Sequence, residues 1–213
     1  MPKSQELEAI VLQTHNVGEA DRFCILLTKE RGKIPVRARG VRKPKSRMGG
    51  SLLALQRIQV TVHEGSAGFM VTAASSSDNT QTPLAGFLQM QQASEMLLSV
   101  LEDDHPIPEI FDLTVAFLDI CKNNPSPRIL PFSIRLLHLL GVMPEDASHQ
   151  IFAHMTDAER SYIHDCAEGH WTTVKPMPSE DTKHLWLLCQ KIIEDQSRRP
   201  MKTESIINSM IEQ

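Results

Sequence analysis

Apolar residues follow two different periods along this chain, and the change between them predicts two kinds of structure. Up to about residue 75, apolar and polar residues alternate in short runs, as in Ile58, Val60 and Val62. A period of two is typical of β-strands with one buried face. Beyond residue 82, the apolar residues recur every three or four positions, which is typical of amphipathic helices. We therefore expect a β half followed by a helical half.

The predicted β half consists of five short segments that are rich in Val, Ile, Leu and Thr. Stretches that favour turns separate these segments, for example Asn16–Gly18 and Glu64–Gly68. The longest interval lies between the third and fourth segments. This spacing suits a small closed barrel of the OB type, with an SH3-like barrel as the alternative. The predicted strands are Glu8–His15, Arg22–Thr28, Lys33–Gly40, Gln56–His63 and Phe69–Ala74.

The helical half contains several start and stop signals. Thr82 and Pro83 favour a helix start, as N-cap and first helical residue. The third helix should end at Gly141, and Thr156 with Glu159 fits a capping box. The apolar stripes that predict buried helix faces are Leu84, Phe87, Leu88, Met90, Leu97 and Leu101; Ile110, Leu113, Phe117 and Ile120; Ile129, Phe132, Leu136 and Leu140; Leu185, Leu188, Cys189 and Ile192; and a last helix is expected over Thr203–Met210.

These elements predict an α+β protein with two domains. We expect a five-stranded OB-fold β-barrel in residues 1–80 and an all-helical C-terminal domain in residues 81–213, joined by the polar stretch 75–81. No apolar run approaches the roughly 18 residues that a membrane span requires, and the N-terminus has no signal-peptide core. The four cysteines form no C-x-x-C pair, so reduced thiols are expected. The protein should be soluble and intracellular.

Positive charge is concentrated in one part of an otherwise acidic chain. Nine of the 22 Lys and Arg residues lie between Lys29 and Arg47, with Glu30 as the single acid. This basic window carries a formal charge of +8, whereas the whole chain carries −4. Such a local charge suits a polyanion, and nucleic acid is the expected partner. The residues expected to contact it are Lys33, Arg37, Arg39, Arg42, Lys43, Lys45 and Arg47.

The sequence also predicts the mode of binding. Arg37 and Arg39 are two apart in the third predicted strand and should share a face, and Gly40 should let the chain turn into a basic loop. The β half has only Phe23 and Phe69 as aromatic residues, so phosphate contacts should dominate over base stacking. A solvated loop without a ligand is the alternative for the basic window.

Signatures of catalysis and of metal binding are weak. Gly32-Lys33 is not a P-loop, because Leu27 and Ile34 replace the glycine and the hydroxyl residue that a P-loop needs. A group of potential zinc ligands lies within a short stretch, but its spacing does not resemble a zinc knuckle. We therefore expect no enzyme activity, no cofactor and no metal. The potential ligands are His149, His154, His164, Cys166 and His170.

Six sequence blocks occur in a specific order along the chain: Glu8–Leu12, Gly18–Arg22, Leu26–Thr28, Gly32–Lys33, Ala38–Arg47 and Phe132–Gly141. In order and spacing, the first five resemble the N-terminal region of the bacterial RecO family of recombination mediators. The sixth is similar to the central helix of that family. The resemblance implies an N-terminal OB barrel, a helical C-terminal domain and a non-enzymatic role in DNA repair and homologous recombination.

The resemblance further implies a set of partners and a cytoplasmic, nucleoid-associated location. Such a protein binds single- and double-stranded DNA, anneals complementary strands, and works with RecR to load RecA onto DNA coated by single-stranded DNA-binding protein. It also binds the C-terminal tail of that coating protein, for which Arg128 and Arg135 are the candidates here. Many relatives carry a four-cysteine zinc module after the central helix. This chain lacks it, so the resemblance predicts no fold for residues 145–178.

Two other classes of function remain open from the residues alone. An OB-fold RNA-binding accessory protein would present a similar basic loop, and contacts to the 2′-hydroxyl would distinguish it. A non-catalytic protein adaptor could use the same loop to bind an acidic partner.

Overall fold

The alternating segments of the first part of the chain form five β-strands. The computed structural model describes residues 4–46, 48–76, 82–123, 126, 128–143 and 155–197. The strands of the described residues close into a barrel in the order β1-β2-β3-β5-β4, in which β3 and β5 are parallel and the other pairs antiparallel. This architecture confirms the predicted OB-type barrel. The strands are β1 (Ser4–Val17), β2 (Asp21–Thr28), β3 (Gly32–Ala38), β4 (Arg57–Gly65) and β5 (Gly68–Ser75).

The alternating apolar and polar residues of each strand face the inside and the outside of the barrel in turn. Ile34, Val36 and Ala38 of β3 are fully buried, while Arg37 between them is exposed. Burying such aliphatic side chains contributes about 1.5–3 kcal/mol each relative to leaving them in water. β3 ends at Ala38 and not at Gly40 as predicted. Arg39 lies in the turn after the strand. The chain turns here because Gly40 adopts a left-handed conformation with φ +64°.

Five α-helices occur in the described residues, and they belong to two compact units. One unit comprises Met1–Pro83 and Leu101–Asn123, and the other comprises Leu84–Val100 and Asn124–Gln213. The second helix therefore belongs to the same unit as the barrel. The predicted boundary at residues 80 and 81 lies outside the described residues and stays a prediction. The helices are α1 (Leu84–Val100), α2 (Pro108–Asn123), α3 (Ile129–Leu139), α4 (Asp157–Ala167) and α5 (Ser179–Ser197).

The predicted buried stripe of α1 is wrong at its N-terminal end. The side chains of Leu84 and Phe87 are exposed by 73% and 41%. The buried face carries Met90 and Leu97, as predicted, together with Ala93. This face packs against α3 and α5.

The predicted stop signal at the end of α3 is confirmed, whereas α1 begins at Leu84, one residue later than the predicted first helical residue Pro83. At the end of α3, Gly141 has φ +67°, its N–H donates to the His138 carbonyl, and the Val142 N–H donates to the Leu137 carbonyl. These two bonds form a Schellman motif, which satisfies carbonyls that the helix leaves free. The predicted helix Thr203–Met210 and residues 77–81 of the predicted linker lie outside the described residues.

All four cysteines are buried and unpaired. Burial raises the pKa of the Cys24 thiol to about 11 and that of Cys121 to about 12. These thiols therefore stay protonated and pack as small apolar groups. Among the described helices, none combines the length and apolar character that crossing a bilayer would require.

A segment that precedes α2 packs closely on the barrel at Gly32. This glycine has φ +64°, and a Cβ atom at its position would lie 2.2 Å from the backbone oxygen of His105. The Asp104 N–H donates to the Lys33 carbonyl at 2.8 Å in the same place. Only glycine allows both the left-handed conformation and this close approach.

We expect Gly32→Ala to destabilise the barrel unit by about 2–5 kcal/mol, because left-handed strain and a backbone clash add together. The matched control is Gly18→Ala, which has φ +55° but no atom within 4 Å of the added Cβ. The control should cost only the strain, about 1–2 kcal/mol. Urea unfolding followed by circular dichroism measures both, and equal losses would contradict the close approach.

The helix α4 begins at the predicted capping box. The Thr156 side chain accepts from the Glu159 N–H, and the Glu159 carboxylate accepts from the Thr156 N–H at 2.8 Å. The same carboxylate lies 2.6 Å from Nδ1 of His184 in α5, and the Glu159 side chain is only 2% exposed. Burial acts to raise the pKa of Glu159, but the bonds from Thr156 and His184 outweigh it and hold that pKa below its usual value.

We expect Glu159→Gln to lower the free energy of unfolding at neutral pH by about 1–3 kcal/mol, because a neutral amide replaces the buried carboxylate that accepts from Thr156 and contacts His184. The lowered pKa means that this contribution is present at neutral pH and fades as the pH falls below about 4.3, the value of free Glu. Urea unfolding at several pH values measures it. The exposed Glu168→Gln is the control and should change stability by less than about 0.5 kcal/mol. A variant as stable as this control would contradict the prediction.

Candidate nucleic-acid interface

The N-terminal part of the basic window is paired with carboxylates of the same structural unit. Arg31 donates to both oxygens of Asp104, at 2.7 and 2.8 Å, and lies 3.5 Å from Glu64. Its guanidinium also sits 5.0 Å from the centre of the Phe69 ring. The bidentate ion pair raises the pKa of Arg31 and lowers that of Asp104. Arg31 therefore holds the segment before α2 on the barrel.

Two lysines of the window are paired in the same way. Nζ of Lys29 lies 2.8 Å from both carboxylate oxygens of Asp112, and Nζ of Lys33 lies 3.3 Å from Asp103. The Lys33 side chain is only 12% exposed. The structure thus places Lys33, a predicted nucleic-acid contact, against the segment before α2 and away from the exposed loop.

Arg37 is more accessible but is also paired. Its side chain is 48% exposed on the outer face of β3, and its guanidinium donates to Asp21 at 2.8 and 3.1 Å. The strand places Arg37 next to β5, where it pairs in register with Met70. Arg37 can meet a ligand only by sharing or leaving its contact with Asp21.

The remaining cations belong to the basic loop, residues 39–46, which follows β3. Val41 is buried in the barrel core, whereas Arg39, Lys43 and Lys45 are exposed. Burial of this one apolar side chain anchors the loop and leaves its charged neighbours in solvent. Within the described part of the chain, no carboxylate lies within ion-pair distance of those three side chains. Arg47 lies outside the described residues.

Arg42 is exposed as well, but it is tied to the turn between β1 and β2. Its N–H donates to the Ala20 carbonyl at 2.9 Å, and its guanidinium donates to the Gly18 carbonyl at 3.0 Å. Since these acceptors are neutral carbonyls, the two bonds do not compensate the positive charge of Arg42.

Three of these cations line a groove of about 560 Å³ along β5. Its lining includes Thr72, Ala73 and Ala74, whose small side chains let an extended backbone approach the sheet. None of the described lining residues is aromatic, so the groove can neutralise phosphates but cannot stack bases. The lining residues are Arg39, Gly40, Lys43, Lys45, Ser46, Met48, Thr72, Ala73 and Ala74.

Sequence reasoning did not identify the β5 side of this groove. The run of small residues at the end of β5, Thr72–Ser75, is the only signal that could have indicated it. Sequence reasoning also missed Asp21 as a functional residue, because nothing local in the sequence connects this acid to Gly40, which lies 19 residues further along the chain.

The predicted peptide-binding arginines lie in the helical unit. Nη1 of Arg128 donates to the Val174 carbonyl at 2.9 Å, and its backbone N–H donates to the Gln89 side chain at 2.7 Å. Arg135 donates to the Ala167 carbonyl. The two guanidinium groups thus bind the backbone at the last residue of α4 and in the segment after it, and a peptide contact by either one stays a prediction.

The described members of the histidine-rich stretch are not brought together. His164 is exposed, whereas Cys166 is fully buried and its pKa is raised to about 12 by burial. His170 lines a separate open groove of about 520 Å³ with Tyr162 and Asp165. In the described ranges, no three potential ligands lie close enough to hold a metal ion. His149 and His154 lie outside these ranges.

Comparison with known proteins gives two family matches. The family described as Recombination protein O N terminal matches residues 1–99, and the family described as Recombination protein O C terminal matches residues 88–170. The two matched regions overlap in α1 and together include every strand and the first four helices.

Individual relatives agree with these matches. The chain is 34% identical over 141 residues to the DNA repair protein RecO of Heliobacterium modesticaldum, covering 65% of this chain and 52% of that protein. It is 32% identical over 152 residues to that of Anaeromyxobacter sp. strain K, covering 65% and 58%. The aligned parts thus span little more than half the length of these two relatives.

A third relative aligns along almost the whole chain. The DNA repair protein RecO of Bifidobacterium longum strain DJO10A is 26% identical over 239 residues, covering 95% of this chain and 98% of that protein. The barrel topology, the order of the helices and both family matches confirm the resemblance found in the sequence. The chain belongs to the RecO family.

Proposed function

We propose that this protein binds DNA through the basic groove and acts in DNA repair as a non-catalytic recombination mediator. The observation that carries the proposal is the placement of Arg39, Lys43 and Lys45 beside small residues of β5 in one groove. A chain of phosphates needs cations spaced along its path more than it needs one deep pocket. Membership of the RecO family, whose relatives are named DNA repair proteins, supports the same role.

The composition of the groove favours strand annealing as its activity. Complementary strands repel each other through their phosphates, and the three cations would neutralise part of that charge. The groove offers no aromatic platform among its described lining residues, so bound bases keep their pairing edges free. A protein that gripped the bases by stacking would have to release them before pairing could begin.

The finer part of the proposal concerns partners. We infer from the family that the protein works with RecR and helps RecA to load onto DNA coated by single-stranded DNA-binding protein. Binding of that protein's C-terminal tail would need the N–H groups of Arg128 and Arg135 that remain after their bonds to Val174 and Ala167. Arg has five N–H donors, so one internal bond leaves others for an acidic peptide.

We expect the triple variant Arg39→Ala, Lys43→Ala and Lys45→Ala to bind single-stranded DNA more weakly at every sequence tested. Because three cations leave the groove, the slope of log affinity against log salt should become shallower by up to about 2, at roughly 0.7 per phosphate contact. Fluorescence anisotropy across a salt series measures both quantities. Parallel titrations with duplex DNA and with RNA show whether the groove prefers DNA.

A matched control removes the same charge elsewhere. Lys175, Lys183 and Lys191 are exposed in the helical unit, and their replacement by Ala changes the net charge equally. This control should keep the slope of the wild type. A groove variant with the same slope as the control would show that the cations of the basic loop do not contact phosphates.

We also expect the groove variant to anneal complementary oligonucleotides at least about tenfold more slowly than the wild type. Each cation that is lost leaves more of the repulsion between the phosphates of the two strands uncompensated. Quenching of a fluorophore on one strand by its complement measures the rate. The lysine control should anneal at the wild-type rate. Equal rates for all three proteins would remove annealing from the proposal while leaving DNA binding to be judged from the salt series.

A further inference from the structure

An acidic residue lies within the basic surface, next to the groove. Asp21 begins β2, and its side chain is 21% exposed. Its Oδ1 accepts from the Gly40 N–H at 2.9 Å, and its Oδ2 accepts from the Arg37 guanidinium. One carboxylate therefore contacts both the last exposed residue of β3 and the start of the basic loop.

The bond to Gly40 acts at the point where the chain turns. Gly40 has φ +64°, and its carbonyl accepts from the Lys43 N–H at 3.1 Å to close the first turn of the loop. Cδ and Cε of Lys43 lie 3.7 and 3.8 Å from the position that a Cβ atom on Gly40 would take. A bond that holds Gly40 in place therefore also holds Lys43, which is one of the residues that line the groove.

The turn that precedes Asp21 holds the loop through further contacts. Ala20 and Gly18 accept from the backbone and the guanidinium of Arg42. Ala20 and Gly18 accept with backbone carbonyls, whereas Asp21 accepts with its side chain. A substitution can therefore remove the acceptor of Asp21 without altering the backbone.

Charge alone would make Asp21 unfavourable for binding DNA. The Gly40 N–H, and then the Arg37 guanidinium, lower the pKa of Asp21, so the side chain is ionised at neutral pH. An anion beside a groove for phosphates repels the ligand and neutralises Arg37. Its presence there indicates a role that offsets the repulsion.

We propose that Asp21 is a positioning residue, which holds the basic loop in the arrangement where Arg39, Lys43 and Lys45 line the groove. This inference rests on the proposed function for its effect on DNA binding, although the bond to Gly40 exists without DNA. A loop that is ordered before binding avoids the loss of conformational freedom that a loose loop suffers when DNA binds.

Two substitutions separate the charge of Asp21 from its hydrogen bond. Asp21→Asn and Asp21→Ala remove the same negative charge and the same ion pair with Arg37. Asn keeps a carbonyl oxygen that can accept from the Gly40 N–H, whereas Ala keeps no acceptor. Any difference between the two variants therefore reports the bond to Gly40.

We expect Asp21→Asn to bind a fluorescent oligo(dT) more tightly than the wild type, because an anion has left and Arg37 is released. We expect Asp21→Ala to bind about tenfold more weakly than Asp21→Asn, because ordering even one backbone residue upon binding costs about that factor. Equal affinities for the two variants would overturn the positioning role. An Asp21→Ala protein that loses the circular dichroism spectrum of the fold would also overturn it, since the role would then be in folding.

A second measurement needs no DNA. Trypsin can cleave the loop after Arg39, Arg42 and Lys45, and cleavage follows loop opening. We expect faster cleavage at these sites in Asp21→Ala than in Asp21→Asn, with no difference at Lys191 in α5. Equal loop cleavage would overturn the inference. If the wild type did not bind DNA at low salt, the proposed function would fail, while the protease result would still decide the role of Asp21 in ordering the loop.

Discussion

The short parallel pairing between β3 and β5 is the constraint on which the functional surface depends. It joins Val36 to Phe69 and Arg37 to Met70, and it closes the barrel. Because β3 ends directly after this pairing, the chain leaves the sheet beside β5, and the basic loop borders the small residues of that strand. In an open sheet with these two strands apart, the cations and the floor of the groove would share no surface.

The cations of the basic window serve two purposes, and the residue opposite each one decides which. Lys29, Arg31 and Lys33 face aspartates of the segment that contains the start of α2. The aspartate of each pair is more than half exposed, and ion pairs open to solvent contribute at most about 1 kcal/mol each, so these pairs orient the segment more than they stabilise it. The loop cations Arg39, Lys43 and Lys45 have no ion pair with a carboxylate of the described residues, so their counterions can exchange for phosphates. Asp21 lies where the two groups meet.

Much of the fold could be predicted because its signals are local. Strand alternation, the Thr156 capping box and the Gly141 stop each depend on a few neighbouring residues, and the structure confirms them. The predicted burial of Leu84 and Phe87 was wrong, because the apolar pattern of a helix does not show where its neighbours pack. The groove was only half predictable, since the basic loop is visible in the sequence but its partner strand is not.

The sequence by itself determined the barrel, the helical character of the second half and the concentration of positive charge between Lys29 and Arg47. These features depend on the hydrophobic period and the composition of short segments, so they do not require contacts with the rest of the chain. Only the tertiary structure decided which of these cations pair with carboxylates of the described residues. The partners of Arg31 and Lys33 lie about seventy residues away, and closure of the chain over that distance brings the charges together.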